Sequence, residues 1–128
     1  MRALTLCLIV FLAALGTGQS KSLNGQDLYE ICTDEARAVY CEGYIQGMRY
    51  GLLGGTETAL VDAGARFLSA EDFKLALDIL LRFCIPEQAT NRQQTDAVVA
   101  YLRDHPTFRD TSARKLVLQA FREAFPCR

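Results

Sequence analysis

Five cysteines and a single histidine carry the most reactive side chains of this chain, and their spacing limits the chemistry open to it. Cys7 lies in an N-terminal apolar run, whereas Cys32, Cys41, Cys84 and Cys127 are spread through the rest. No C-x-x-C pair occurs and His105 is followed directly by Pro106, so the ligand spacing of a zinc site is missing. One imidazole cannot support the relays of most acid–base schemes, and bridged thiols leave no cysteine nucleophile. The carboxylate pairs Asp34-Glu35 and Glu71-Asp72 fall where helices are expected to begin, where negative charge suits the helix dipole. No phosphate-cradling loop stands out. These residue types point to a cross-linked binding protein that needs no cofactor and no metal, and not to an enzyme.

The ends of the chain set its compartment. Met1-Arg2, an apolar run from Ala3 to Leu15, and a small, polar stretch from Gly16 to Ser20 have the layout of a cleaved secretory signal peptide. The run is too short for a membrane span. We therefore expect a leader at residues 1–20 and one domain at residues 21–128, soluble in the periplasm. Of the 14 basic residues only Arg2 belongs to the leader, so 13 remain against 15 acidic ones, well mixed along the chain. No basic patch or stripe marks a nucleic-acid surface. Export also makes disulfides the expected state of Cys32, Cys41, Cys84 and Cys127. Four cysteines allow three pairings. Cys41 near the start of one helix would meet Cys84 at the end of another if the two run antiparallel, leaving Cys32 for Cys127.

Those cysteines must be positioned by helices, because apolar residues recur at helical spacing and no stretch alternates at a period of two. Ala113, Leu116, Val117, Ala120, Phe121 and Ala124 mark a C-terminal helix that Asp110, Thr111 or Ser112 can cap and Pro126 ends. Thr90 and Gln93 form a capping-box pattern before a helix that should stop near Asp104, ahead of His105-Pro106. Ser69 and Asp72 signal a helix through Phe73, Ala76, Leu77, Leu80 and Leu81 that closes at Cys84. A short helix over residues 25–31 and a glycine-bearing one over residues 35–53, ended by Gly54-Gly55, complete the set. Residues 56–68 read as a link in which Thr56 caps a brief helix ended by Gly64. The predicted fold is all-α, a compact bundle of about five helices stapled by two disulfides.

The glycine-bearing helix has one unusual face. Gly43, Gly47 and Gly51 recur every four residues and share a stripe. Each glycine inside a helix costs roughly 0.5–1 kcal/mol relative to alanine, so the stripe calls for a close helix contact, within the chain or across a dimer. Tyr40 and Tyr44 share a face with the core residues and are expected to pack.

Three stretches together resemble a known family: CEGYIQGM at residues 41–48, FCIPEQATNRQQTDAVVAYLRDHP at residues 83–106, and ARKLVLQAFREAFPC at residues 113–127. Their order is similar to that of the Rap/Tai-type immunity proteins of Gram-negative bacteria. The resemblance implies a small periplasmic helical protein with disulfides, often a homodimer. It also implies one partner, a secreted peptidoglycan amidase toxin delivered by type VI secretion. The elements that could fill such a partner's cleft are the link at residues 53–69, with Glu57, Asp62 and Arg66, and the turn at residues 105–111, with Phe108 and Arg109. A periplasmic acid-stress chaperone, or an envelope protein of the same fold without a toxin partner, is the alternative function.

Overall fold

Asn24 opens the first helix through a reciprocal capping box: its Oδ1 accepts from Asp27 N at 2.8 Å, and its own N–H bonds Asp27 Oδ2 at 3.3 Å. The computed structural model describes residues 22–127, so the leader expected at residues 1–20 lies outside the described residues. Five α-helices follow in order: α1 (Gly25–Thr33), α2 (Ala38–Asp62), α3 (Ala70–Leu81), α4 (Asn91–Asp104) and α5 (Ala113–Ala124). Short 3₁₀ turns at Glu35–Arg37, Ala65–Phe67 and Pro106–Phe108 precede α2, α3 and α5. The only β pairing among the described residues is an isolated bridge between Asn24 and Ser112. The fold is all-α, as predicted. No helix among the described residues is long and apolar enough to cross a membrane.

α1, the first half of α2, α4 and α5 surround one core. Leu28, Ile45, Val98, Leu102, Val117 and Phe121 are its most deeply buried large apolar side chains. Leu81, the last residue of α3, and Phe83 just beyond it are buried with them, and Phe83 packs on Phe121 with ring centroids 5.4 Å apart. Fully burying a side chain of this size contributes about 1.5–3 kcal/mol, so Phe121 is a central strut of the bundle. The periodicity of α5 places Ala113, Leu116, Val117, Ala120 and Phe121 inward, as read from sequence; Ala124 is exposed. Thr90 and Gln93 form the expected capping box at the start of α4, which ends at Asp104. Inside the bundle Gln94 holds the incoming loop, its Nε2 donating to the Ala89 carbonyl at 3.1 Å.

The glycine that requires close approach is Gly25. A Cβ there would collide with Leu116 Cδ1 and stand 3.0 Å from both Cα and O of Arg109. Gly25 N donates to Thr111 O and Gln26 N to Arg109 O, each at 2.9 Å, so α1 begins flush against the backbone that leads into α5.

Two expectations are corrected by the path of the chain. The disulfides join Cys32 to Cys41 and Cys84 to Cys127; the antiparallel arrangement that would pair Cys41 with Cys84 is not formed. Only the turn at Glu35–Arg37 separates the end of α1 from the start of α2, which brings the first pair together. The second pair meets because Cys84 N donates to Phe125 O at 2.7 Å, aligning the segment after α3 with the tail after α5. In the chain-entropy model, loops of 9 and 43 residues correspond to roughly 3 and 4 kcal/mol of stabilisation. The second correction is that α2 does not stop at Gly54-Gly55 but runs on to Asp62. The residues read as a link are therefore mostly helix, and the left-handed position that ends it is Gly64, at φ 96°.

Candidate functional site

The second half of α2, the turn at Ala65–Phe67 and α3 form a helical arm, because α3 packs chiefly on α2 and on no other helix to a comparable extent. Its tip is tightly wound. Ala63 N donates to Ala59 O, Gly64 N to Val61 O at 3.1 Å and Leu68 N to Ala65 O. Gly64 takes a conformation that a side chain would strain. Ser69 then caps α3: its Oγ accepts from Asp72 N at 3.1 Å and lies 2.7 Å from Asp72 Oδ2. The two helices of the arm are thus joined by a short turn closed by its own backbone hydrogen bonds.

Glu57, Asp62 and Arg66, expected on a loop, all sit on this arm and all are exposed: Glu57 and Asp62 on α2, Arg66 in the tip turn. Beside Arg66, Phe67 is 88% exposed, the most exposed large apolar side chain among the described residues. Sequence reasoning passed over it, and also over the outer face of α3. There Leu75 is 57%, Ile79 64% and Leu80 53% exposed. Leu80 was expected in the core; α3 instead buries Leu81 and half-buries Phe73, Ala76 and Leu77, so Leu80 turns outward. The missed signal was composition. Between Phe73 and Leu81 only Lys74 and Asp78 interrupt the apolar residues, and a helix apolar on most sides belongs between two surfaces.

The second expected element behaves differently. Phe108 is half exposed and stacks on His105, which stacks in turn on Tyr101 with ring centroids 4.2 Å apart. His105 Nδ1 lies 2.9 Å from the Tyr101 carbonyl, which can only accept, so Nδ1 carries the proton. His105 is therefore a polar cap at the C-terminus of α4. Arg109 is half-buried and engaged against the bundle. Its guanidinium lies 3.7 Å from the Tyr29 ring centroid and its Nε donates to Leu102 O at 2.7 Å, tying α1 to the end of α4. The structure brings Glu57, Asp62 and Arg66 onto one element, whereas Phe108 and Arg109 lie on the turn between α4 and α5.

The carboxylates are similarly committed to structure. Asp34 accepts from Arg37 Nε at 2.7 Å and from Ala36 N at 3.0 Å, and these bonds hold its carboxyl below the usual carboxylate range. Arg103 does the same for Asp104. Burial pushes the Tyr44 and Tyr101 phenols above their ordinary value. Asp78 approaches Cys84 and Cys127 closely enough to suggest a metal cluster, but both sulfurs are consumed by their disulfide.

The glycine stripe meets no described residue: a Cβ at Gly43, Gly47 or Gly51 would find nothing within 4 Å among the described residues. None of the described helices makes the expected close contact there. Val39, Tyr40 and Tyr50 are exposed on the same helix, so Tyr40 does not pack as expected, whereas Tyr44 is half-buried against the core.

A family model described as Rap1a immunity proteins matches residues 24–127. No curated protein and no solved structure gives a significant match.

Proposed function

Because the chain belongs to the Rap1a immunity protein family, we propose that it is an exported inhibitor that protects its cell by binding one secreted toxin, a peptidoglycan amidase delivered by type VI secretion. The observation that carries the reading beyond the family is the helical arm with the exposed Phe67 at its tip. A wound, helix-backed protrusion pays little ordering entropy on entering a partner's cleft. An exposed phenylalanine beside Arg66 and Asp62 has the chemistry of an interface anchor. Inhibition by plugging asks no catalysis of the inhibitor and no cofactor.

Two disulfides fit an oxidising compartment, and with the leader read at residues 1–20 they support the periplasm and a single domain at residues 21–128. The open glycine face supports a homodimer seam, since a second copy of α2 could approach there without displacing any side chain.

The test is a competition between sibling strains. Cells lacking this protein should be killed by a toxin-delivering sibling and rescued by the wild-type chain, but not by Phe67→Asp. Normal survival of the deletion strain would remove the immunity reading.

A further inference from the structure

A groove of about 830 Å3 opens where the outer face of α3 meets the C-terminal half of α5 and the tail held by Cys84–Cys127. Its size is that of a ligand cleft. The apolar part is supplied by Leu75 and Ile79, both more than half exposed. Among its described lining residues the charge is unbalanced: Lys74, Arg82 and Arg122 face one carboxylate, Asp78. Asp78 is taken by Lys74 at 2.7 Å, which leaves the two arginines without a carboxylate among the described residues.

Arg122 is held through its side chain and Arg82 through its backbone. Arg122 Nε donates to the Leu81 carbonyl at 2.9 Å, and its remaining guanidinium nitrogens have no partner among the described residues. Arg82 closes α3 in the left-handed conformation, at φ 60° and ψ 28°, with its N–H donating to Asp78 O. It is the only non-glycine residue at positive φ among the described residues, and its side chain forms no ion pair there. Glycine would close the helix with less strain. What arginine adds is a guanidinium at the mouth of the groove.

Resting on the immunity reading, we propose that this groove receives an acidic, apolar segment of the toxin. An aliphatic or aromatic side chain would lie on Leu75 and Ile79, and a carboxylate between Arg82 and Arg122. The arm tip and the groove would then grip the toxin at two places along the same arm. The guanidiniums supply charge-assisted hydrogen bonds to the carboxylate, and the apolar floor removes water around them.

Arg82→Gly tests this without threatening the fold, because it relieves the left-handed position. The probe is the hydrolase that the wild-type oxidised chain retains, titrated calorimetrically at low and high salt. Arg82→Gly should melt no lower than wild type yet bind about tenfold more weakly, and Arg82→Glu about a hundredfold more weakly, with the loss shrinking as salt rises. Ile79→Asp should weaken binding comparably. Wild-type affinity in Arg82→Gly and Arg82→Glu, with the toxin still neutralised, would overturn the groove assignment and leave the immunity reading standing. A wild-type chain that retains no hydrolase would overturn both. A dimer that Arg82→Glu splits, with toxin affinity unchanged, would assign the groove to a second copy and end the proposal.

Discussion

Substituting alanine for glycine should have opposite effects at two positions of this chain, and the signs follow from geometry alone. At Gly25 the new methyl would overlap Leu116 Cδ1 and stand 3.0 Å from Arg109 Cα and O. The leucine terminus can rotate away only within a full core, since Leu116 is buried. The Arg109 backbone has less freedom. Its carbonyl accepts from Gln26 N, and its side chain is bound to Leu102 O and lies over Tyr29. Overpacking of this kind costs about 1–3 kcal/mol. For a domain of this size each kcal/mol shifts the melting midpoint by about 4–8 °C, so Gly25→Ala should melt on the order of 5–20 °C lower. At Gly47 the added Cβ meets nothing within 4 Å, and the helix gains roughly 0.5–1 kcal/mol of propensity, a rise of several degrees. The assay is thermal unfolding of the oxidised chain by circular dichroism, diluted until sedimentation shows only monomer. A Gly25→Ala midpoint within a degree or two of wild type would refute the close docking of α1. A lower midpoint for Gly47→Ala in the monomer would mean that the glycine face is covered within the chain.

Further outcomes follow from the same structure. Arg109→Ala should lower stability by about 2–3 kcal/mol in urea titrations, because it leaves a helix-terminal carbonyl unpaired and removes a cation from the Tyr29 ring. Replacing Cys84 and Cys127 by serine should cost more than replacing Cys32 and Cys41, by about 1 kcal/mol, because the longer loop is opened. Asp34 and Asp104 have depressed carboxyl pKa values when folded, so their contribution is present above the unfolded carboxylate value and fades as acid titrates the folded groups. Melting midpoints should therefore stay level from neutral pH to about pH 5 and fall below about pH 4. Loosening that begins well above that, with suppression of client aggregation, would support the chaperone alternative. Gly47→Leu should abolish a dimer in sedimentation without unfolding the monomer, if the glycine face is its seam.

The helices of the bundle could be read from sequence where capping chemistry and periodicity agreed. Asn24 aside, which was not recognised as a cap, α4 and α5 lie close to where Thr90, Gln93 and the Ala113–Phe121 spacing put them. The end of α2 could not be read. Gly54-Gly55 looks like a stop, but glycine ends a helix only where the chain turns left-handed, and that occurs at Gly64. Thr58 Oγ1 instead bonds Gly54 O at 2.8 Å within a continuing helix. The disulfide pairing was open because it depends on how tightly the turn before α2 folds, which no spacing rule fixes. For the arm, Glu57, Asp62 and Arg66 were located by their position between predicted helices. Leu80 was placed inward because an apolar residue at helical spacing reads as core, and Phe67, Leu75 and Ile79 were passed over. Only the packing shows that, among the described residues, α3 lies chiefly against α2 where its composition asks for two surfaces.

The claim that this chain neutralises one secreted toxin is tested most directly by reconstitution. The oxidised chain from about residue 21, immobilised at neutral pH, would be offered the secreted proteins of its own bacterium. The account predicts that one peptidoglycan hydrolase is held through stringent washing and that its amidase activity on purified peptidoglycan is abolished at one inhibitor per enzyme. Phe67→Asp should retain the fold and lose that inhibition. A hydrolase that stays fully active when bound, or a broad set of weakly held proteins that grows as the pH falls, would contradict it.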